Sequence, residues 1–208
     1  MALAQTLPPL DCFEASRIYL NCQTRDGTPV VIRSIRPDDK YEMRDLYPAL
    51  SQRTLYMRFF RVMAQPSLEE VSRYTDVDFD THLALVLMYG PEQRMAAAGR
   101  LIRANAESDV AELSCLVIDE LQHRGLGKLL VAQLMETGRQ WGISKIVALV
   151  HGENGAMLRL LKGMGYPSEL VYDDGEYTVT LDVSHAPCKD NAMHHATVTA
   201  MHQGVEPV

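Results

Sequence analysis

The sequence predicts an α+β (α/β) fold, on three observations. Strand-like and helix-like runs interleave from Arg17 to Asp182. Two turn signals, Asp26-Gly27 and Asp173-Asp174-Gly175, each lie between β-rich runs and read as hairpins that open and close the domain. Between them, Val117 to Leu130 reads as the end of a strand, a polar turn holding Gly125 and Gly127, and the start of an amphipathic helix.

The elements follow in order. Residues 1–15 contain proline, lack periodicity and read as a loose arm. Arg17 to Cys22 and Val30 to Ile35 form the opening hairpin. Arg36-Pro37-Asp38-Asp39 starts a helix, because proline suits the first turn and the aspartates favour the positive end. Its apolar stripe is Tyr41, Met43, Leu46, Tyr47 and Leu50. A second helical stretch, Ser51 to Phe60, carries Arg53 and Arg58 among aromatics, with Arg61 just beyond it. These arginines read as a solvated face with packed stems, or else as part of a ligand wall. Ser67-Leu68-Glu69-Glu70 has capping-box order and starts a short helix reaching about Thr75.

His82 to Met88 is a continuous apolar strand, and residues 90–93 are a turn. Met95 to Ile102 is the next strand, where Gly99 marks a bulge or a close backbone approach. Val110 to Ile118 is the strand that feeds the glycine turn. In the helix after it, Leu126, Leu130, Leu134 and Met135 recur at helical spacing up to Trp141-Gly142. Lys145 to Val150 is a strand, Asn154 to Met164 a helix, and Glu169 to Tyr172 with Tyr177 to Asp182 the closing hairpin. Residues 16–183 thus make one domain, and residues 184–208, polar and aperiodic, are expected to be a disordered tail.

Composition excludes several classes of function. With 47% hydrophobic and 23% charged residues, a domain of this size needs neither disulfide nor structural metal to hold a core. A formal net charge of −7 argues against wholesale nucleic-acid binding, while leaving room for a local basic patch. Cys12, Cys22, Cys115 and Cys188 are scattered, with no CxxC pair, and read as reduced thiols of a cytosolic protein. His185, His194, His195 and His202 in the tail match no metal-ligand spacing, so no metal is expected. No run is long enough to span a membrane and Met1 to Phe13 lacks a signal-peptide pattern, so a cytoplasmic location is expected.

The glycine turn carries the chemistry. The first N–H groups of a helix have no internal partner and sit at the positive end of its dipole. Gly125 and Gly127 leave room for a phosphate and allow positive φ, and Arg124 and Lys128 add charge. Residues 122–128 are therefore expected to hold a pyrophosphate-bearing ligand. A Rossmann dinucleotide site would need G-x-G-x-x-G and an acid after the next strand, and neither is present.

Gln122-His123-Arg124-Gly125-Leu126-Gly127 resembles the (Q/R)-x-x-G-x-(G/A) signature of the GNAT acyl-CoA-dependent acetyltransferases. The segment Asn154-Gly155-Ala156-Met157-Leu158 with Gly163-Met164-Gly165-Tyr166 is similar to that superfamily's downstream element. More narrowly, residues 51–60, 77–85 and 154–161 resemble bacterial Pat-like protein-lysine acetyltransferases. The resemblance spans roughly residues 30–182 and implies a mixed, mostly antiparallel sheet, splayed at the acyl-CoA site and flanked by helices.

It also implies a set of roles. Acetyl-CoA is the co-substrate, with its pyrophosphate on the N–H groups of His123, Arg124, Gly125, Leu126, Gly127 and Lys128 beside Gln122. The backbone of Leu116, Val117 and Ile118 would pair with the pantetheine, and Asn154 and Met157 would contact the cofactor. The implied partner is an amine acceptor, with a protein lysine as the expected case. A lysine ε-amine, with a pKa of about 10.4, must lose a proton before it attacks a thioester. The resembled group assigns that task to a glutamate in an Ala-Glu pair, here Ala111-Glu112, so Glu112 is the candidate base. His82 and Asp78 are secondary candidates for acceptor contacts. Many members place a tyrosine acid seven residues after the asparagine, where this chain has Leu161. A thiolate leaves with little help, so direct base-assisted transfer remains the expectation. Two alternatives stand beside it: a small-molecule amine N-acetyltransferase, and a CoA-binding module without catalysis.

Overall fold

A computed structural model of the chain describes residues 10–187. The opening hairpin pairs β1 (Tyr19–Gln23) antiparallel with β2 (Pro29–Ser34). In its turn Gly27 takes φ +83°, and the Asp26 carboxylate accepts the Thr28 N–H at 3.2 Å. The N-terminal arm is less loose than expected. Cys12–Ala15 form one helical turn, α1, closed by a capping box between Asp11 and Glu14, and Ala15 is fully buried. Leu10 donates its N–H to the Gln140 carbonyl, and the Ser34 hydroxyl donates to the Ala15 carbonyl at 2.6 Å. Residues 1–9 and 188–208, with Cys188, His194, His195 and His202, lie outside the described residues.

After β2, Pro37–Asp39 make a single 3-10 turn ahead of α2 (Lys40–Leu46), and Tyr47–Ala49 make another after it. Asp39 does more than favour a helix end. It forms a two-pronged ion pair with Arg33, both contacts at 2.7 Å, and accepts the Arg36 N–H at 2.7 Å. Both partners are nearly buried, the setting in which a bidentate pair counts. Two short helices follow. α3 (Gln52–Phe59) is capped by Ser51, whose hydroxyl accepts the Thr54 N–H at 3.1 Å. It ends at Phe60, a non-glycine residue held at φ +57°. α4 (Leu68–Thr75) has the capping box its sequence predicts, between Ser67 and Glu70.

β3 (His82–Tyr89), β4 (Arg94–Arg103) and β5 (Val110–Val117) form an antiparallel meander. The bulge falls between Leu87 and Met88, not at Gly99. The close approach at Gly99 is made by a side chain and not by another backbone: a Cβ there would lie 2.7 Å from Cδ1 of Leu134. That leucine belongs to α5 (Leu126–Gln140), whose apolar stripe Leu126, Leu130, Leu134 and Met135 is fully buried. The fit is mutual, because a Cβ at Gly138 of α5 would lie 2.6 Å from Cδ1 of Leu101 on β4. Helix and sheet therefore interlock at two notches. β6 (Lys145–His151), α6 (Gly155–Lys162), β7 (Ser168–Asp173) and β8 (Glu176–Asp182) complete the chain.

The eight strands form one sheet in the order β1-β2-β3-β4-β5-β6-β8-β7. It is mixed and mostly antiparallel, as the resemblance implied, since only β5 and β6 run parallel. They pair at just three positions: Val110 with Lys145, Ala111 with Ile146, and Glu112 with Val147. Beyond Glu112 they part, β5 remaining on β4 as far as Val117 and β6 remaining on β8 as far as His151. The sheet is splayed at that point. One face of β4 and β5, with Gly99, Leu101, Leu113 and Cys115, packs toward α5. The other, with Arg100, Ser114, Leu116 and Ile118, faces α2–α4, where Ile118 joins a small core of Tyr47, Leu50 and Leu55. No helix among the described residues is long and apolar enough to cross a membrane.

Candidate active site

Where β5 and β6 part, a cleft of about 950 Å³ opens, lined by α3, β5, the turn after it, the start of α5, and α6. That volume is at the upper end for small-molecule and cofactor sites. Its walls differ. One edge is the free side of β5. The Ile118 N–H donates to the Ala96 carbonyl at 3.0 Å, so Ile118 faces β4. Antiparallel ladders alternate, so Leu116 faces β4 as well, and Cys115 and Val117 turn their main-chain groups to the gap. This narrows the expected pantetheine contact. Of Leu116, Val117 and Ile118, only Val117 has its N–H directed into the cleft, and its carbonyl already accepts from the Gln122 amide at 3.1 Å.

The turn from β5 to α5 delivers an open helix end. His123 takes φ +61° and Gly125 φ +85°, both left-handed, which reverses the chain within a few residues. Gly127 is helical, and a Cβ there would meet Leu160 and Val117 at 3.4 Å, ordinary contact. No side chain caps α5. The first helical bond runs from the Leu129 N–H to the Gly125 carbonyl at 3.1 Å, leaving the N–H groups of Leu126, Gly127 and Lys128 without helical partners. This is an anion site in the physical sense. Partial burial, with Arg25 nearby, holds the Lys128 ammonium below its ordinary pKa, as a cation short of anions should be.

Gln122 does not aim its side chain at this anion site. Its amide nitrogen lies 3.1 Å from the Val117 carbonyl, 2.8 Å from Asp119 Oδ1 and 3.2 Å from Thr54 Oγ1. Asp119 in turn accepts the Ser51 N–H and the Thr54 hydroxyl. Burial works against its charge, yet these hydrogen bonds from Thr54 and Ser51 hold its carboxyl below the usual range. Gln122 and Asp119 thus tie the N-terminus of α3 to the glycine turn.

On the face toward α3, Glu112 is exposed, lines the cleft and occupies the last paired position before the strands part. Two residues on, the Ser114 hydroxyl accepts from Arg58 Nη2 at 2.7 Å. The Arg58 guanidinium lies 4.8 Å from the Phe59 ring centroid, and burial lowers its pKa. Behind it Arg100, only 7% exposed, stacks on Tyr74 at 4.8 Å, its pKa pushed down to about 10 by burial and by Arg58. Arg100 Nη1 lies 3.3 Å from His82 Nε2. Burial, then Arg100, push His82 down to about 4, so the imidazole is neutral, its Nε2 accepts from Arg100 and its proton sits on Nδ1. α3 also reaches β6. Tyr56 packs edge-on against the His151 ring at 5.4 Å, and Arg53 lies 3.8 Å from Glu153.

Opposite these groups, Cys115 Sγ sits 3.9 Å from Met157 Sδ, and burial pushes its thiol up to about 11. Such a thiol is not a nucleophile near neutral pH. Asn154 caps α6, its Oδ1 accepting the Met157 N–H at 3.1 Å, and both residues line the cleft. Leu161 is fully buried, and Tyr166 packs against the core without lining the cleft.

Of the residues singled out from sequence, the cleft brings together Glu112, Leu116, Val117, Gln122, His123, Gly125, Gly127, Lys128, Asn154 and Met157. Three side chains lie elsewhere: Ile118 is in the small core, Leu126 in the main core, and Arg124 is exposed beyond the cleft wall. Asp78 is taken up by its own turn, accepting the N–H groups of Asp80, Thr81 and His82 at 2.9 Å each. The solvated-face reading of the α3 arginines fails for Arg58. Ser114, Asp119 and Thr54 were not foreseen, and their one sequence signal was the capping pattern at Ser51.

The splayed parallel pair thus has an open helix end at one side and an exposed acid at its vertex. The chain belongs to the acetyltransferase (GNAT) family, whose model matches residues 50–166, more than half of it. It is therefore an acetyltransferase of the family that uses acetyl-CoA as co-substrate. It is 27% identical over 143 residues to acetyltransferase Pat of Mycolicibacterium smegmatis, covering 69% of this chain and 43% of that protein. The chain thus spans less than half of Pat's length. It is 24% identical over 155 residues to acetyltransferase PA5475 of Pseudomonas aeruginosa, covering 74% of this chain and 83% of that one. Among solved structures, the GNAT domain of S. lividans PAT superposes with a TM-score of 0.73 at 28% identity, covering 79% of this chain and 96% of that one.

Proposed function

We propose that this chain transfers acetyl from acetyl-CoA directly to a protein lysine ε-amine, with Glu112 as general base. The observation that carries the reading is the position of Glu112, exposed at the vertex where β5 and β6 part and on the wall of the cleft that also contains the α5 N-terminus. The pyrophosphate would rest on the N–H groups of Leu126, Gly127 and Lys128, and the pantetheine would run along Val117 and Cys115 past Asn154 and Met157. The thioester then lies near Glu112. Glu112 takes a proton from the ammonium, the amine nitrogen forms a bond to the thioester carbon, the C–S bond breaks, and the second proton that the nitrogen sheds on becoming an amide goes to the departing sulfur, so that CoA leaves as the thiol. The elevated thiol pKa of Cys115 favours this direct route over an acyl-cysteine intermediate. The protein-lysine acceptor is supported by the resemblance to Pat-like enzymes. The test is thiol release from acetyl-CoA with an acyl-CoA synthetase protein against a panel of small amines. Activity on the protein is expected, and activity on small amines alone would overturn the acceptor assignment.

A further inference from the structure

Arg58 is a half-buried cation with no carboxylate in contact, and the nearby charge of Glu112 acts on it only through space. Among the described residues its one hydrogen bond goes to Ser114 Oγ at 2.7 Å, and no carboxylate lies within ion-pair distance of it. Yet no buried side-chain nitrogen or oxygen among those residues lacks a partner, so its remaining N–H groups open on the cleft that it lines. A guanidinium offers five donors in a planar fork matched to a carboxylate. Arg100 stands behind it, and its own neighbours, the Tyr74 ring and His82, carry no negative charge. Two cations in a low-dielectric wall focus a positive field on that stretch of the cleft. The net charge of −7 does not extend to this wall. Glu112 and Ser114 stand two residues apart on one face of β5, about 7 Å along the strand.

We propose that Arg58, backed by Arg100, is a carboxylate subsite on the acceptor side of the cleft. The favoured acceptor then carries a carboxylate roughly 7 Å from the amine that is acetylated. On the protein-lysine reading, on which this rests, that group is an Asp or Glu beside the reacting lysine.

The test compares acceptors that differ in one carboxylate. Nα-acetyl-lysine is set against Nα-acetyl-lysine amide, and a peptide with Asp next to lysine against its Asn counterpart. In the wild type the carboxylate form should have a kcat/KM about tenfold higher in each pair. Arg58→Ala should bring both ratios to about one, Arg58→Lys should restore part of the preference, and added salt should shrink it. Arg58→Gln, which keeps a donor for Ser114, replaces Arg58→Ala if the latter unfolds. A wild-type ratio near one, or a ratio that survives Arg58→Ala, overturns the subsite. Use of the small acceptors but of no peptide sinks the protein-lysine reading alone, since the small pair still reports on Arg58. Succinyl-CoA supplies the last arm. If Arg58→Ala loses succinyl transfer selectively and keeps the acceptor ratios, the carboxylate belongs to the acyl chain and the acceptor assignment is wrong.

Discussion

The two ends of the cleft are built in different ways. The donor end comes from one run of chain, in which β5 stops, His123 and Gly125 turn left-handed, and α5 starts with no side chain over its first N–H groups. Three other helices do the opposite, although α2 also starts without a side-chain cap. α3, α4 and α6 close their first turns with Ser51, Ser67 and Asn154. An uncapped start on a fifteen-residue helix is therefore a local choice, visible wherever glycine stands in place of Ser, Thr, Asp or Asn. The end proposed for the acceptor is assembled from a distance. Arg58 meets Ser114 across 56 residues of sequence, and Asp119 meets Ser51 across 68. On the proposed function, donor recognition is thus written in local backbone geometry, and acceptor recognition in tertiary contacts.

Substitutions can separate the two ends, beginning with the largest effect. Glu112→Gln should lower kcat/KM about 100- to 10,000-fold while leaving acetyl-CoA affinity unchanged by titration. A variant with normal turnover would remove the base from the vertex. Gly125→Val strikes the donor end alone. A branched residue at φ +85° costs roughly 1–2 kcal/mol of stability, read by denaturant melts. It should also weaken acetyl-CoA binding without altering the ranking of acceptors. Asp119→Ala cuts the link between the ends, so both Michaelis constants should rise together, and a change confined to one would show that the link couples nothing.

His82 offers a gentler probe of the acceptor wall. Its folded pKa, about 4, lies below its unfolded value of 6.5. Between these values the unfolded chain binds more protons, so stability should fall as pH drops from 6.5 toward 4. His82→Gln should flatten that slope in urea melts, and an unchanged slope would place the titrating group elsewhere. The smallest effect belongs to Cys115→Ala, which should leave turnover near wild type and unaffected by thiol reagents.

This division explains what the sequence could show. The hairpins, the capping box at Ser67 and the glycine turn depend on neighbours within a few residues, and each formed where it was expected. Gln122 belonged to a recognised motif, yet its amide serves Asp119 and Thr54, a use that only the packing of α3 reveals. Arg58 looked like any helix-surface arginine until β5 lay beneath it. The pairing of Asp39 with Arg33 was hidden for a related reason: an acid that starts a helix and an acid that meets a neighbouring strand look alike in one dimension. Backbone direction escaped as well, because the choice of Val117 over Leu116 and Ile118 is a matter of ladder phase, set by β4.

The two glycine notches have a consequence for how the phosphate cradle could change. Leu134 seated at Gly99 and Leu101 seated at Gly138 fix α5 along its own axis like teeth in a rack. Gly138 lies twelve residues from Leu126, about 18 Å from the helix start. The residues that position the anion site are thus far from any anion. Transplanting 122–128 onto another strand-turn-helix would carry the loop without its registration. A single methyl group at Gly138 could push the helix off its seat and, by misplacing the far end, weaken cofactor binding while every residue of the motif stays intact.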